Sequence, residues 1–215
     1  MKKSITRILV FTMMLVLITT LSISQNIPCK ENSEKYDHGH LKSCILSVNY
    51  TIDGYVIPEN SSIAFNKKGA LDYVKLGKDA KMLNQLFPAK TQIFFNHWIG
   101  PFSFWPSKQM EIQGHILVAR WDGIGNAMFA NGKLNAIWLA NDETIEGIPC
   151  TSSVNIFKYG FSVISKGTNR MVFFHENGKL QQAMLSKDII IQGQAFKKGD
   201  LVRFDEFGKL VSMPK

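Results

Sequence analysis

One spacing constrains this chain more than any other feature. Counting from Gly178, Leu180 falls at +2, Leu185 at +7, Asp188 at +10, Ile191 at +13 and Gly193 at +15, and Phe204 stands four residues before the next anchor, Gly208. The same ruler laid from Gly132 meets Leu134, Leu139, Asp142, Ile145 and Gly147. From Gly39 it meets Leu41, Leu46, Asn49, Ile52 and Gly54, and from Gly69 it meets Leu71, Leu76, Asp79 and Met82, with Asn84 in the place of glycine. A weaker copy begins at Gly100, has Phe102 at +2, and reaches Ile112 and Gly114 one residue early. The anchors are separated by 30, 31, 32, 46 and 30 residues. Units this short cannot enclose a core alone, so each buries its apolar face against its neighbours in an array. The long step places an insertion within 148–170, and the weak copy makes the third unit, about 85–114, irregular.

The residues between the anchors read as strands. Asn131-Gly132 and Asn177-Gly178 are hairpin-type dipeptides, because both residues tolerate positive φ. The Asp or Asn at +10 is expected to bond amides two residues on and close a turn, and Lys198-Gly199-Asp200 reads as another turn. Turns every ten residues or so, separated by Val-, Ile-, Phe- and Leu-rich segments, leave room for about three strands per unit and no helix. The expected fold is all-β, about five repeats forming an elongated antiparallel hairpin sheet, with a three-sided β-solenoid as the alternative. Leu180, Leu185, Ile191, Phe204 and their equivalents should be buried, and Gly39, Gly69, Gly132, Gly178 and Gly208 should sit at turns.

Residues 1–24 read as a secretory signal peptide: Lys2, Lys3 and Arg7 precede an apolar run, and Ser22 and Ser24 stand at −3 and −1 of a cleavage point before Gln25. Residues 25–215 then form a single β-repeat domain, exported to the periplasm, the cell surface or the medium, with no stable membrane insertion once the leader is removed. Three of the 25 Lys and Arg belong to the leader, so 22 remain against 17 Asp and Glu, a net +5 scattered through turns. That balance, together with export, argues against a nucleic-acid partner. Of the three cysteines, Cys29 and Cys150 both follow Ile-Pro, while Cys44 occupies +5 of its unit, where the later unit has Ala183. If Ile-Pro-Cys of one unit lies beside +5 of the next, Cys29 pairs with Cys44, and Cys150 faces an alanine as a free thiol.

The aromatic maximum is IFFNHWIGPFSFW, from Ile93 to Trp105. Its rings either fill the core of the irregular third unit or line a groove able to stack sugars or apolar groups. In the second case His97, Trp98, Phe102 and Trp105 form the binding walls, with Trp121 and Trp138 as further candidates. No nucleophile elbow, phosphate loop or dinucleotide fingerprint is present. His38-x-His40 lacks a third ligand at metal spacing. No catalytic residue, metal or cofactor is assigned on this basis. A hydrolase acting on glycan or peptide, with His97 or His115 as its base, is the competing class.

The strings Ile-Glu-Gly-Ile-Pro-Cys (145–150), Phe-His-Glu-Asn-Gly-Lys-Leu (174–180) and the run from Ile191 to Leu210 resemble repeats of exported bacterial β-repeat proteins of unknown function. More distantly, the Asn-Gly-Lys-Leu hairpins are similar to MORN-type repeats, although the shorter MORN unit and its Tyr-x-Gly-x-x-x-x-Gly pattern are absent. Both resemblances imply a non-catalytic binding or structural role toward a protein or glycan partner.

Overall fold

A computed structural model describes residues 27–30, 33–97, 100–119, 125–152 and 170–211. They form 21 short strands and no α-helix. In chain order these are β1 (Glu34–Lys35), β2 (Leu41–Ile45), β3 (Tyr50–Ile52), β4 (Tyr55–Ile57), β5 (Ser62–Phe65), β6 (Leu71–Lys75), β7 (Ala80–Met82), β8 (Gln85–Phe87), β9 (Gln92–His97), β10 (Gly100–Trp105) and β11 (Met110–Ile112). There follow β12 (His115–Leu117), β13 (Asn126–Met128), β14 (Leu134–Ile137), β15 (Glu143–Ile145), β16 (Ile148–Cys150), β17 (Val172–Phe174), β18 (Leu180–Met184), β19 (Ile189–Ile191), β20 (Gln194–Phe196) and β21 (Leu201–Arg203).

Eleven strands make one open antiparallel sheet in the order β1-β2-β5-β6-β9-β10-β13-β14-β17-β18-β21. It is a meander in which every second connection expands into a two-stranded hairpin: β3-β4, β7-β8, β11-β12, β15-β16 and β19-β20. Each unit therefore holds four strands, two in the sheet and two in a small hairpin, rather than the expected three. The antiparallel array is the architecture found, and the solenoid alternative is not.

Three kinds of turn recur, and each explains part of the repeat. At the anchors Tyr36, Asn66, Phe129, His175 and Asp205 each bond the residue four on, and the glycine at the fourth place donates back to the first. That is a three-residue hairpin loop with a left-handed glycine and a bulge, and all five predicted turn glycines have φ between 80° and 90°. Asn131 and Asn177 are not themselves left-handed. Their Oδ1 atoms instead accept the amides of Lys133 and Lys179. The two-residue turns are at the tips of the small hairpins, where both central residues have positive φ: Asp53-Gly54, Leu83-Asn84, Gln113-Gly114, Glu146-Gly147 and Gln192-Gly193. Asn84 at 62° shows why asparagine can replace the repeat glycine there.

The third kind returns the chain to the sheet, and the +10 residue controls it. Asn49 accepts the amide of Glu59 at 2.9 Å, Asp79 that of Ala89 at 2.7 Å, Asp142 that of Ser152 at 2.7 Å and Asp188 that of Lys198 at 2.8 Å. The bond spans ten residues rather than two, so it clamps the base of these four small hairpins. The Lys198 amide first, and the Lys197 ammonium second, hold the Asp188 carboxyl below its ordinary range.

The +7 leucine supplies the opposite side of the latch. Leu46, Leu76 and Leu185 each donate N–H to the carbonyl of the residue just before the returning strand (Ser61, Thr91, Asp200), and each carbonyl accepts the amide one residue earlier. Their side chains, with Leu139, are buried in one core cluster.

That core lies between the sheet and the row of hairpins. The inward residues Cys44, Ile63, Val74, Ile93 and Phe104 follow one another across adjacent strands. They share a cluster with Ile52, Ile57, Met82 and Phe87 of the hairpins. Burying a side chain of this size stabilises by about 1.5–3 kcal/mol. A smaller cluster of Ala127, Ala136, Trp138 and Met171 lies on the opposite face.

At the first unit Cys29 and Cys44 are bridged, with Cα atoms 5.7 Å apart. Cys29 stands opposite Leu46 as Cys150 stands opposite Leu185, which is the juxtaposition the repeat implies. Cys150 is free and buried.

Two expectations follow from these contacts. Asp79→Ala should lower stability by about 1–2 kcal/mol in denaturant titrations, whereas Asp79→Asn, which keeps an oxygen acceptor as Asn49 does, should stay near wild type. Removing the bridge by Cys29→Ser with Cys44→Ser should cost about 3 kcal/mol, read as a lower midpoint, with hydrogen exchange accelerating first in residues 27–46.

Candidate binding cleft at the third unit

The third unit departs from the repeat where the latch should close. Aligned on Met82 and Ile112, its Trp105, Pro106 and Ser107 take the places of Lys75, Leu76 and Gly77. Proline has no N–H, so the bond that Leu76 gives to the returning strand cannot form at Pro106. The connection after β12 is accordingly longer, with eight residues before β13 where the first two units have four.

The glycine substitution matters as much. Between the first and second units the backbone of Asn60 rests on Gly77 so closely that a Cβ there would overlap Glu59 and Asn60, and Gly77 N–H donates to Ser61 Oγ at 2.9 Å. At the next junction Ser107 carries the side chain Gly77 lacks. Its hydroxyl donates to the Ala89 carbonyl at 2.6 Å, and Thr91, the counterpart of Ser61, is left with a buried Oγ1 that has no partner. The two units do not close, and a cleft of about 410 Å³ remains.

Strand register sets what the cleft presents. Lys75 pairs with Gln92, and Gln92 with Trp105, so β6, β9 and β10 offer these three side by side on the face away from the hairpins. Lys90, in a left-handed conformation at φ 67°, joins them, with Pro106 and Ser107 opposite. One row further along the same face lie Tyr73 and Phe94, whose ring centroids are 5.1 Å apart. Phe94 meets Trp105 edge to face at 4.6 Å, and Gly125 packs against the Trp105 indole where any Cβ would overlap it. The Tyr73 hydroxyl donates to Gln92 Oε1 at 3.2 Å. Burial raises the Tyr73 pKa, so the phenol remains a donor through the neutral range.

Of the residues marked by the sequence that are described, Trp105 alone lines the cleft. Phe102 is buried and belongs to the core, touching the rings of Tyr55, Phe87, Phe95 and Phe104. The physical reason is the strand's alternation: Phe102 and Phe104 point inward, Trp105 outward. Trp138 is buried in the smaller cluster. Trp98, Trp121 and the side chain of His97 lie outside the described residues. Tyr73, Lys75, Lys90 and Gln92 were not singled out by sequence reasoning. The proline and serine that break the pattern at 106 and 107 were the available signal, and strand register brings the rest.

Other candidate groups serve the array. His115 Nδ1 lies 2.8 Å from Glu143 Oε1, tying β12 to β15, with the Phe174 ring 5.4 Å from the imidazole. Gln192 donates to the Gly208 carbonyl and accepts the Leu210 amide, as Gln113 does with Gly132 and Leu134. A second cleft, about 290 Å³, lies beside these bonds between the last two hairpins. His38 stacks on Tyr36 and meets His40 edge to face at the exposed first turn. Among the described residues no group of three or more His, Cys, Asp or Glu is placed to hold a metal ion, and no helix is long and apolar enough to cross a membrane.

Comparison of the chain with protein-family models, with curated proteins and with solved structures finds no match.

Burial, opposed by a backbone bond from Ile145 and assisted by the Glu143 carboxylate, pushes the Cys150 thiol up to about 12. The neutral thiol is what the fold favours, so this contribution to stability is complete below the ordinary thiol range near 8.5 and is lost as pH rises toward 12. In the native, oxidised protein at pH 8 a thiol reagent should label no cysteine, and one after unfolding. Native labelling at pH 8 would show the thiolate to be accessible.

Proposed function

We propose that this chain is a non-catalytic binding repeat protein of an exported compartment, and that it holds a glycan or protein partner on the sheet face opposite the hairpins. The observation that carries the reading is the outward row of Lys75, Gln92 and Trp105, backed by Tyr73 and Phe94, at the one junction where Pro106 and Ser107 keep two units apart. Aromatic and amide groups on rigid strands are preorganised for a ligand, which limits the ordering entropy that binding must offset. The Cys29–Cys44 bridge supports an oxidising destination, in keeping with the leader at 1–24. The resemblances to exported bacterial β-repeat proteins and, distantly, to MORN-type hairpins agree with a binding or structural role.

A hydrolase acting on glycan or peptide is the second reading, and the His115–Glu143 contact is what favours it, since a carboxylate orients a histidine base in this way. Incubating the purified chain lacking residues 1–24 with a panel of oligosaccharides and peptides separates the two. The binding reading expects saturable retention of at least one oligosaccharide, reduced by Trp105→Ala, with no new products over a day. Product release that disappears in His115→Ala would replace it with the hydrolase.

A further inference from the structure

The polar groups of the cleft restrict what can occupy it. Among the described residues Lys75 and Lys90 both line it, and no carboxylate does. Other lysines are differently placed: Lys78 pairs with Glu59, Lys42 with Glu34 and Lys197 with Asp188. No described carboxylate pairs with either cleft lysine, so among the described residues these two positive charges are uncompensated. Gln92 offers its Nε2 hydrogens as donors, while one lone pair of its Oε1 is taken by the Tyr73 hydroxyl. Ser107 has given its proton to Ala89 and can only accept. A ligand satisfying this set is negatively charged, rich in acceptors and supplied with at least one hydroxyl donor.

The walls add shape. Trp105 is half-buried, held by Phe94 on one side and seated on Gly125, so its indole is a fixed platform rather than a mobile side chain. Such a platform suits the apolar C–H face of a pyranose, and the volume falls within the usual range for ligand pockets, about 300–1,000 Å³. A neutral ring would leave both ammonium groups without a counter-charge, and an anionic chain without rings would leave the indole uncovered.

We propose that the cleft takes an acidic saccharide, a pyranose ring stacked on Trp105 whose carboxylate or sulfate is held by Lys75 and Lys90 while Gln92 donates to a ring oxygen or hydroxyl. This rests on the binding reading above and narrows it to a ligand class. Uronic acids and sulfated sugars share the recognised chemistry.

Calorimetric titration of the chain lacking residues 1–24, at 50 mM and 300 mM salt, tests it with four probes: a galacturonate hexamer, a heparin hexasaccharide, cellohexaose and inorganic polyphosphate. Either acidic hexamer should bind about tenfold or more tighter than cellohexaose at low salt, and should weaken at high salt. Which hexamer does so distinguishes carboxylate from sulfate. Lys75→Gln with Lys90→Gln should remove about tenfold of the acidic affinity, a larger loss than for cellohexaose, with the melting temperature unchanged, since both side chains are exposed. Trp105→Phe should weaken all three saccharides. Equal binding of acidic and neutral hexamers, or indifference to the double lysine substitution, overturns the acidic-saccharide proposal while the binding reading stands. Polyphosphate binding as tight as either hexamer and unaffected by Trp105→Phe overturns it as well. Failure of every saccharide removes the proposal and the glycan branch of the binding reading together.

Discussion

The structure depends on one clamp, the side-chain oxygen at +10 that accepts an amide ten residues later. A lone meander sheet has two faces and, at thirty residues per unit, no second layer to cover either. By fastening both ends of four of the five small hairpins, Asn49, Asp79, Asp142 and Asp188 turn a connection into that second layer. The apolar residues of hairpin and sheet then face each other, and the burial of Leu46, Leu76, Leu139 and Leu185 follows from a fixed chain path rather than from their hydrophobicity alone.

Because four of the five units are clamped within themselves, neighbouring units are free to differ in how tightly they meet. The first junction is closed by a glycine with no Cβ to obstruct it, the second is held open by proline and serine, and the later hairpin tips are tied to the next turn by Gln113, Glu146 and Gln192. A repeat array can therefore acquire a cleft by two substitutions without risking its core. The buried Thr91 hydroxyl without a partner is the local trace of that opening, since the Ser107 N–H does not bond it as the Gly77 N–H bonds Ser61.

Much of the fold was legible because its determinants are local. The hairpin loops at the anchors place a residue at φ between 80° and 90°, which glycine adopts most readily, so Gly39, Gly69, Gly132, Gly178 and Gly208 announced themselves by spacing. The Cys29–Cys44 bridge was legible for a related reason: Ile-Pro-Cys recurs at 148–150, and equivalent positions in an array have equivalent neighbours. The range of the Asp bond was misread, because a carboxylate two residues from an amide and one ten residues away carry the same sequence signature until the hairpin between them is folded. The fourth strand of each unit was missed for a similar reason, since three-residue strands are too short to display alternation.

By itself the sequence determined the repeat, the all-β class, the turn positions and the pairing of two cysteines, since each depends on backbone stereochemistry or on the equivalence of repeated units. Only the tertiary structure decided which aromatic rings are core and which are surface. Phe102 and Trp105 are three residues apart on one strand, and it is the register of β10 against β9 that sends the first inward and the second to the cleft. The meeting of Lys75, Gln92 and Trp105 was likewise hidden, because residues seventeen and thirteen positions apart along the chain become neighbours only when three strands are hydrogen-bonded side by side.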